Sequence, residues 1–310
     1  MKILITGGSG FIGSHLVEHF QGRADIRVLD NLRSGFRANL SGFDCEFIEA
    51  SILDREAVRA AMRGIDCVFH LAAMISVPES MDNPVACAGT NTVGTLIVLE
   101  EAAAAGVKKL SLSSSAAIYG NNPVVPKSEQ MCPEPGNPYA ITKLDGEYYC
   151  QLFTSTGRLS TVSLRYFNVF GPRQNLGSAY AAAIPIFIHR ALRNEPITIF
   201  GDGAQTRDFI SVRDVARANA YFVTESPLNG VFNVARGSSL SILDLARCIV
   251  RLTGSRSEII HAPERPGDVR HSTASLEKLT AAGFVPGVDF DTALAETIDF
   301  FKETQEIANC

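Results

Sequence analysis

A glycine-rich turn near the N-terminus constrains the fold more than any other stretch of the sequence. Residues 2–6 (KILIT) have the composition of a short buried strand, and GGSGFIG follows, with glycines at positions 7, 10 and 13. An apolar helical pattern then continues through Phe20. Glycines at this spacing let backbone amides approach a pyrophosphate at a helix N-terminus, where the helix dipole favours negative charge. The turn therefore predicts a strand–helix unit that binds a dinucleotide.

Strand and helix patterns alternate along most of the remaining chain. Besides 2–6, strands are predicted near 25–30, 45–49, 66–71, 108–113, 161–166 and 230–235. This alternation predicts an α/β fold with a parallel, doubly wound sheet. Ligands bind at the carboxyl ends of the strands in such a sheet. Gly7, Asp30, Ala73, Ser115 and Asn168 all fall at predicted strand ends, so we expect them to share one site.

Composition and charge exclude several functional classes. The chain has 310 residues, which suggests two domains or one large α/β unit, and 46% of them are hydrophobic, enough for a core. A net charge of −5 predicts no general affinity for nucleic acid. Seven cysteines without CxxC spacing and six histidines without ligand spacing predict reduced thiols in the cytoplasm and no metal site. No apolar run reaches the roughly 18 residues of a membrane span.

A second motif runs from Ser113 to Lys143. Asn137 can cap a helix and Pro138 suits its first position, which places Tyr139 and Lys143 four residues apart on one helical face. A free tyrosine has a pKa of about 10, and a nearby lysine cation is expected to lower it. Ser115 ends a predicted strand, where its hydroxyl is free to meet a ligand. A Tyr-x-x-x-Lys spacing alone is common on solvated helix faces.

The serine-rich strand end, the Pro-initiated helix and the N-terminal glycine turn together resemble the extended short-chain dehydrogenase/reductase family, in particular its nucleotide-sugar 4-epimerases. The resemblance covers nearly the whole chain. It implies a Rossmann domain at 1–168, to which 209–238 return, and a smaller C-terminal α/β substrate lobe formed by 169–208 and 239–310. It also implies that Ser115, Tyr139 and Lys143 are catalytic.

The family's cofactor is NAD, and the acid that ends the second strand indicates which dinucleotide this chain binds. Asp30 can accept hydrogen bonds from the adenosine ribose and would repel a 2′-phosphate, although Arg33 could attract one. DNLRSG resembles the NAD version of this segment, whereas Ser51 departs from the family's usual aspartate. The cofactor residues implied are Gly7, Gly10, Phe11, Ile12, Gly13, Asp30, Asn31, Ser34, Gly35, Ser51, Ile52, Leu71, Ala72, Ala73, Asn91, Ser113, Tyr139, Lys143 and Tyr166.

The resemblance also implies a UDP-sugar substrate. In RYFN, Asn168 matches the residue that touches the diphosphate, and Phe200 matches a strand beside the uracil. Arg207 and Arg265 match two arginines that clamp the diphosphate, and Asp268 matches a ribose contact. Four residues after that aspartate, relatives restricted to non-acetylated sugars carry a tyrosine. This chain has Ser272, which predicts room for a 2-acetamido group and hence turnover of UDP-GlcNAc/UDP-GalNAc, with UDP-Glc/UDP-Gal as further substrates.

The residues after Ser115 separate the possible reactions. The family's 4,6-dehydratases have Asp-Glu there and its UDP-glucuronate decarboxylases have a glutamate, whereas this chain has Ala116 and Ala117. Neither alanine can act as acid or base, so an isomerase is favoured. UDP-glucuronate 4-epimerisation, 4-ketoreduction and a non-catalytic sensing module are the alternatives. The helices that carry Asn91 and Tyr139 match the family's dimerisation helices, which predicts a homodimer.

Overall fold

The computed structural model describes residues 1–175, 183–264 and 269–308, with side chains up to residue 304 in the last range. Its strands are β1 (Lys2–Thr6), β2 (Asp25–Asp30), β3 (Glu46–Glu49), β4 (Cys67–His70), β5 (Lys109–Ser115), β6 (Ser160–Tyr166), β7 (Asn168–Phe170), β8 (Ile197–Phe200), β9 (Thr206–Arg207), β10 (Phe209–Ser211), β11 (Gly230–Val234), β12 (Leu240–Ser241), β13 (Ile259–Ala262) and β14 (His271–Ser272).

The α-helices of the described ranges are α1 (Phe11–His19), α2 (Arg55–Ala61), α3 (Val77–Asp82), α4 (Pro84–Ala88), α5 (Gly94–Ala104), α6 (Pro138–Ser155), α7 (Ala183–Leu192), α8 (Val212–Ala220), α9 (Ile242–Thr253), α10 (Glu277–Ala281) and α11 (Phe290–Ala308). Short 3-10 turns cover Arg37–Leu40 and Ala116–Tyr119, and π-helical turns cover Gly89–Val93 and Tyr221–Glu225. None of the described helices is both long enough and apolar enough to cross a membrane.

The main sheet confirms the predicted doubly wound parallel fold. Seven strands lie in the order β11-β6-β5-β4-β1-β2-β3, and every neighbouring pair is parallel. The strand order reverses at β1, which pairs with β2 on one side and β4 on the other. Such a reversal leaves a crevice at the carboxyl ends of the strands, where ligands bind.

Helices cover both faces of this sheet. Alternate residues of a strand point to opposite faces, so neighbouring residues belong to different apolar clusters. Ile3 and Ile5 belong to the apolar cluster that includes residues of α1 and α8. Leu4, between them, belongs to the cluster that includes α2, α5 and α6. All three are fully buried. The helices are thereby fixed on the two faces, and their loops surround the carboxyl edge of the sheet.

A third apolar cluster lies in the C-terminal part of the chain, where α7, α9 and α11 pack around β8. Three small sheets accompany it, with the orders β10-β7, β12-β9-β14 and β13-β8. In the β9–β14 pair, Arg207 is the register partner of Ser272. Two predicted substrate residues from distant parts of the sequence, Arg207 and Ser272, are thus adjacent in the backbone.

Candidate active site

The glycine turn between β1 and α1 forms the close approach that the sequence predicts. Gly7 has a φ of 72°, which favours glycine. A Cβ at Gly7 would lie 2.7 Å from the Ala72 nitrogen, and one at Gly13 would lie 2.2 Å from the Gly7 oxygen. No side chain caps the N-terminus of α1, whose N-cap is Gly10. Its first N–H groups therefore remain free for an anionic ligand.

A cavity of about 820 Å³ opens beside this turn. Of the cofactor residues predicted from the sequence, all except Asn91 line it. The cavity is therefore the place where the structure brings together the glycine turn, the end of β2, the end of β4 and the Tyr139–Lys143 pair. Residues that line it without having been predicted are Leu29, Arg33, Ala50, Leu53, Met74, Ile75, Ser76, Glu79, Thr90, Ser114, Gln174 and Asn175.

Asp30 closes the end of the cavity that lies along β2. Its buried carboxylate accepts hydrogen bonds from the Ser9 N–H at 3.0 Å and from the Leu32 N–H at 2.9 Å. A carboxylate has about four lone-pair positions, so acceptor capacity remains for two ribose hydroxyls. The backbone bonds fix the direction in which this acid faces a ligand. These residues fit the adenosine half of NAD.

Of the predicted catalytic residues, Tyr139 and Lys143 line the cavity, and Ser115 is a neighbour of Tyr139. The Asn137 side chain accepts the Ala140 N–H at 2.9 Å, and α6 begins at Pro138 as predicted. The Lys143 ammonium donates to the Ser113 carbonyl at 2.8 Å and lies 5.8 Å from the centroid of the Tyr139 ring. The Ser115 hydroxyl is hydrogen-bonded to the Tyr139 phenol. This geometry places a hydroxyl donor, a phenol and an ammonium around one point.

The electrostatics of this cluster differ from the expectation that Lys143 lowers the Tyr139 pKa. Burial raises the Tyr139 pKa above 10, and the hydrogen bond from Ser115 lowers it only in part. Burial also lowers the pKa of Lys143 to about 8. Desolvation penalises both charged forms, and the ammonium is bonded to a carbonyl rather than to the phenol. Without a ligand, the tyrosine is therefore protonated at neutral pH.

Asn91 also differs from its prediction as a cofactor contact. It lies in the π-helical turn Gly89–Val93 and is buried. Its Oδ1 accepts the Met74 N–H at 2.7 Å, and its Nδ2 donates to the Met74 carbonyl at 2.9 Å and to the Thr142 Oγ1 at 3.0 Å. The π turn aims the amide at the loop after β4 and at α6. Asn91 thus links the cavity wall to the helix that carries Tyr139.

A buried polar network behind β5 was not predicted. Arg165 donates to both oxygens of Glu147, at 2.9 and 2.8 Å, and to the Tyr119 hydroxyl at 2.8 Å. The Ser114 hydroxyl donates to the same glutamate, and Tyr119 donates to the Asn233 Oδ1 at 2.7 Å. Glu147 lies one helical turn after Lys143, and this spacing was the one available sequence signal. The network fixes β5 against α6 and so positions Ser115.

Of the predicted substrate residues that the structure describes, Ser115, Asn168, Phe200, Arg207 and Ser272 are not among those that line the cavity. The Asn168 N–H donates to the Asp208 carbonyl at 3.0 Å, next to Arg207. The Asp208 carboxylate accepts the N–H groups of Arg236, Gly237 and Ala274 at 2.8, 3.0 and 3.2 Å. These bonds hold the segments that carry Asn168, Arg207 and Ser272 side by side.

Phe200 ends β8. Arg265 and Asp268 lie outside the described residues.

The residues directly after Ser115 carry no acid or base. Ala116 and Ala117 begin the 3-10 turn Ala116–Tyr119, and the Ala117 N–H donates to the Ser115 hydroxyl at 3.1 Å. The buried carboxylate of Glu147 is committed to Arg165. Within the described ranges, no three His, Cys, Asp or Glu side chains are grouped so as to hold a metal ion.

Solved structures with this architecture include three enzymes that are similar over almost their whole length. UDP-N-acetylglucosamine 4-epimerase from Methanobrevibacter ruminantium, in complex with UDP-N-acetylmuramic acid, is 39% identical with a TM-score of 0.94, covering 98% of each chain. UDP-glucose 4-epimerase from Thermotoga maritima, with UDP-glucose, is 39% identical with a TM-score of 0.94, covering 98% of this chain and 100% of that one.

UDP-glucose 4-epimerase from Thermus thermophilus, in complex with NAD, is 37% identical with a TM-score of 0.89, covering 97% of this chain and 99% of that one. Other relatives are named as decarboxylases and dehydratases. The family model described as NAD dependent epimerase/dehydratase matches residues 3–235. The glycine turn, Asp30 and the Ser–Tyr–Lys cluster lie within this match. The chain belongs to the NAD dependent epimerase/dehydratase family.

Proposed function

We propose that this enzyme is a UDP-sugar 4-epimerase that inverts C4 of a UDP-hexose through a 4-keto intermediate. The observation that carries the proposal is the Ser115–Tyr139–Lys143 cluster, in which Tyr139 and Lys143 line the cavity and Ser115 is hydrogen-bonded to Tyr139. NAD⁺ bound there supplies a hydride acceptor and a positive charge that favours the phenolate. The net reaction is an isomerisation, because the hydride removed from the sugar returns to it.

Each residue of the cluster has one role in this proposal. Tyr139 removes the proton from the 4-hydroxyl of the sugar, and Ser115 donates a hydrogen bond to the same oxygen. Lys143, held on the Ser113 carbonyl, places its charge beside the nicotinamide ribose and the phenolate. Asn168, Phe200, Arg207, Arg265 and Asp268 are proposed to hold the UDP group, since a guanidinium fork suits a diphosphate. They would keep the diphosphate fixed while the hexose turns.

The two alanines after Ser115 favour epimerisation over the other reactions named among the relatives. Dehydration and decarboxylation relatives place carboxylates at these positions, where Ala116 and Ala117 have only methyl groups. Glu147 cannot serve as the missing acid or base, because both of its carboxylate oxygens accept hydrogen bonds from Arg165. A net ketoreductase is the second candidate, and it would need a cofactor that exchanges at every turnover.

Ser272 supports UDP-GlcNAc/UDP-GalNAc as substrates. It is the register partner of Arg207 on the adjacent strand, which places it beside the proposed diphosphate clamp. A serine there leaves the volume that a tyrosine ring would fill. A roomy pocket does not reject a smaller ligand, so UDP-Glc/UDP-Gal are proposed as further substrates. UDP-glucuronate is the alternative sugar.

The test is epimerisation by the purified protein with no added cofactor. UDP-GlcNAc, UDP-Glc and UDP-glucuronate are incubated separately and the products are separated by chromatography. We expect UDP-GlcNAc to be converted to UDP-GalNAc, and Tyr139→Phe to lose about 10²–10⁴-fold in rate, as expected when a general base is removed. Glu56→Gln, which alters an exposed residue on α2, is the control.

The outcomes separate the candidates. Conversion of UDP-Glc alone would retain the mechanism and refute the argument from Ser272. Conversion of UDP-glucuronate alone would select the alternative sugar. No conversion of any of the three, even with NAD⁺ added, would refute the epimerase proposal. Stoichiometric oxidation of added NADH or NADPH with a 4-keto sugar would instead select the ketoreductase.

We further propose that the protein is a cytoplasmic homodimer. Each chain would have a Rossmann domain formed by 1–168 and 209–238 and a substrate lobe formed by 169–208 and 239–310. The support for a dimer is an apolar face on α6 formed by Ile141, Tyr148 and Leu152, which are 48%, 58% and 53% exposed. Their spacing of seven and four residues puts them on one side of the helix. Val85 and Val93 extend the same region and are 84% and 49% exposed. A second copy would bury these side chains.

A further inference from the structure

An ion pair joins the two sides of the cavity near the end of β2. Arg33, in the loop after β2, donates from Nη2 to the Glu79 Oε1 at 2.5 Å. Both residues line the cavity, and their side chains are 47% and 42% exposed. Glu79 lies on α3, which follows β4 on the opposite side of the crevice. The pair therefore reaches across the cavity from one wall to the other.

The backbone fixes both partners. The Asp30 carboxylate accepts the Leu32 N–H at 2.9 Å, and the Asn31 side chain accepts the Arg33 N–H at 3.2 Å, so the loop turns sharply after β2. On the other wall, Glu79 lies in the first turn of α3 and its N–H donates to the Ser76 Oγ at 3.2 Å. The backbone positions of Arg33 and Glu79 therefore do not depend on the ion pair.

The chemistry of Arg33 without Glu79 would favour a different cofactor. An arginine just after the second strand can accommodate the 2′-phosphate of NADP, because its guanidinium offers two parallel donors. A phosphate monoester carries a charge of about −1.5 to −2 at neutral pH. Glu79 accepts a hydrogen bond from the Arg33 Nη2 and offsets the charge of the guanidinium. Glu79 thus removes the attraction that Arg33 alone would offer to a 2′-phosphate.

We propose that Glu79 is a positioning residue for cofactor choice, which enforces the preference for NAD over NADP by holding the Arg33 guanidinium. Asp30 excludes the 2′-phosphate directly, and Glu79 excludes it through Arg33. The measured quantity is therefore the ratio of the dissociation constants of NADP⁺ and NAD⁺, rather than the affinity for either alone. The inference concerns nucleotide binding, so it is independent of which sugar is the substrate.

The test uses the full-length protein freed of nucleotide and titrated separately with NAD⁺ and NADP⁺. Glu79→Gln keeps the shape of the side chain and removes its charge. We expect this variant to lower the NADP⁺/NAD⁺ ratio of dissociation constants about tenfold, mainly by tighter binding of NADP⁺. Adding Arg33→Ala to Glu79→Gln is expected to raise the ratio again, because the cation that attracts the phosphate is gone.

Two controls make the result specific. Glu56→Gln breaks the exposed Arg59–Glu56 pair on α2 and should leave the ratio unchanged. Titration with adenosine 2′,5′-bisphosphate and with 5′-AMP isolates the 2′-phosphate, and Glu79→Gln should improve only the former. An unchanged ratio in Glu79→Gln would overturn the proposal. So would equal ratios in Glu79→Gln and the double variant, because Glu79 would then repel the phosphate without acting through Arg33.

Discussion

At single residues of the glycine turn, the close approach of backbone segments determines the residue type. Gly7 and Gly13 were predictable because a side chain at either position would collide with the backbone of Ala72 or Gly7. Asp30 was predictable because it ends a buried strand. The shift in the pKa of Tyr139 was not predictable, because its direction depends on how far the surrounding fold removes water from the phenol. Sequence spacing predicts that Lys143 lies near Tyr139, but it does not predict the burial that raises the pKa of the phenol.

Asn91 shows the same limit for side-chain direction. Its identity fits the family pattern, but its orientation depends on one π-helical turn, which rotates the amide toward Met74 and Thr142. A helix with i→i+5 hydrogen bonds has no distinct pattern of apolar residues. The distribution of apolar residues therefore could not reveal that this asparagine holds the cavity wall instead of lining the cavity.

Ser272→Tyr tests the substrate argument at this scale. The ring would fill space beside Arg207, its register partner, and exclude a 2-acetamido group. We expect kcat/KM for UDP-GlcNAc to fall at least tenfold, since a steric clash in a pocket is worth about 1–3 kcal/mol. Turnover of UDP-Glc by the same variant is the internal control and should change little. Equal losses on both substrates would mean that the tyrosine disrupts the site in general.

At the scale of elements, strands such as β1 and β4 could be predicted because each is a short, mostly apolar run that is almost wholly buried. The strands β12 and β14 could not be predicted from the sequence, because each has only two residues and is defined by its pairing with β9. The contact between β5 and α6 was implied by the proximity of Ser115 and Tyr139. The ion pair between Glu147 on α6 and Arg165 on β6 could not be predicted from the sequence, since the two residues lie on different elements.

Breaking that ion pair should cost both stability and activity. Glu147→Gln leaves the Arg165 guanidinium buried without its charge partner, and we expect the free energy of unfolding to fall by about 3–5 kcal/mol. Removing both charges with Glu147→Gln/Arg165→Met should cost less than Glu147→Gln alone. Glu56→Gln, which breaks an exposed pair, should cost under about 0.5 kcal/mol. Urea titrations measure all three values.

The activity of these variants separates stability from positioning. The network holds Ser114, which is adjacent to Ser115 on β5. If it positions that hydroxyl, Glu147→Gln should lower kcat at a temperature where the variant is fully folded, with KM changed less. Recovery of stability without recovery of kcat in the double variant would assign the network a role in orientation. Full recovery of kcat in the double variant would contradict this assignment.

At the scale of the whole molecule, buried neutral histidines should make the fold sensitive to mild acid. Burial and the neighbouring Lys143 charge lower the pKa of His70 from 6.5 to about 3, and its ring nitrogens lie 2.7 and 2.9 Å from the hydroxyls of Thr6 and Thr95. Burial and Arg173 lower the pKa of His15 to about 4. The two residues lie on different elements, so their titration affects the whole fold.

The direction of the effect follows from proton linkage. Because the folded-state pKa of each histidine is below its unfolded value of about 6.5, the unfolded chain binds more protons in acid. The stabilisation is therefore present above pH 6.5 and is lost as the pH falls toward 3–4. For His70 the loss at pH 5 is about 2 kcal/mol. Asp202, with a pKa of about 2, stays ionised in the folded state over this range. Burial raises the pKa of Asp208 to about 6, so protonation of Asp208 in the folded state opposes the loss, and the contribution of His70 is measured as a difference between variants.

His70→Gln tests this prediction, since glutamine offers a donor and an acceptor but does not titrate. We expect the variant to be less stable than the wild type at pH 7.5, because its amide cannot reproduce the contacts of the imidazole with both threonines. Its loss of stability between pH 7 and pH 5 should be smaller by about 2 kcal/mol, measured by urea unfolding at each pH. His261→Gln, at an exposed histidine, should retain the wild-type slope. Equal slopes in His70→Gln and the wild type would show that His70 is not the group whose protonation destabilises the fold.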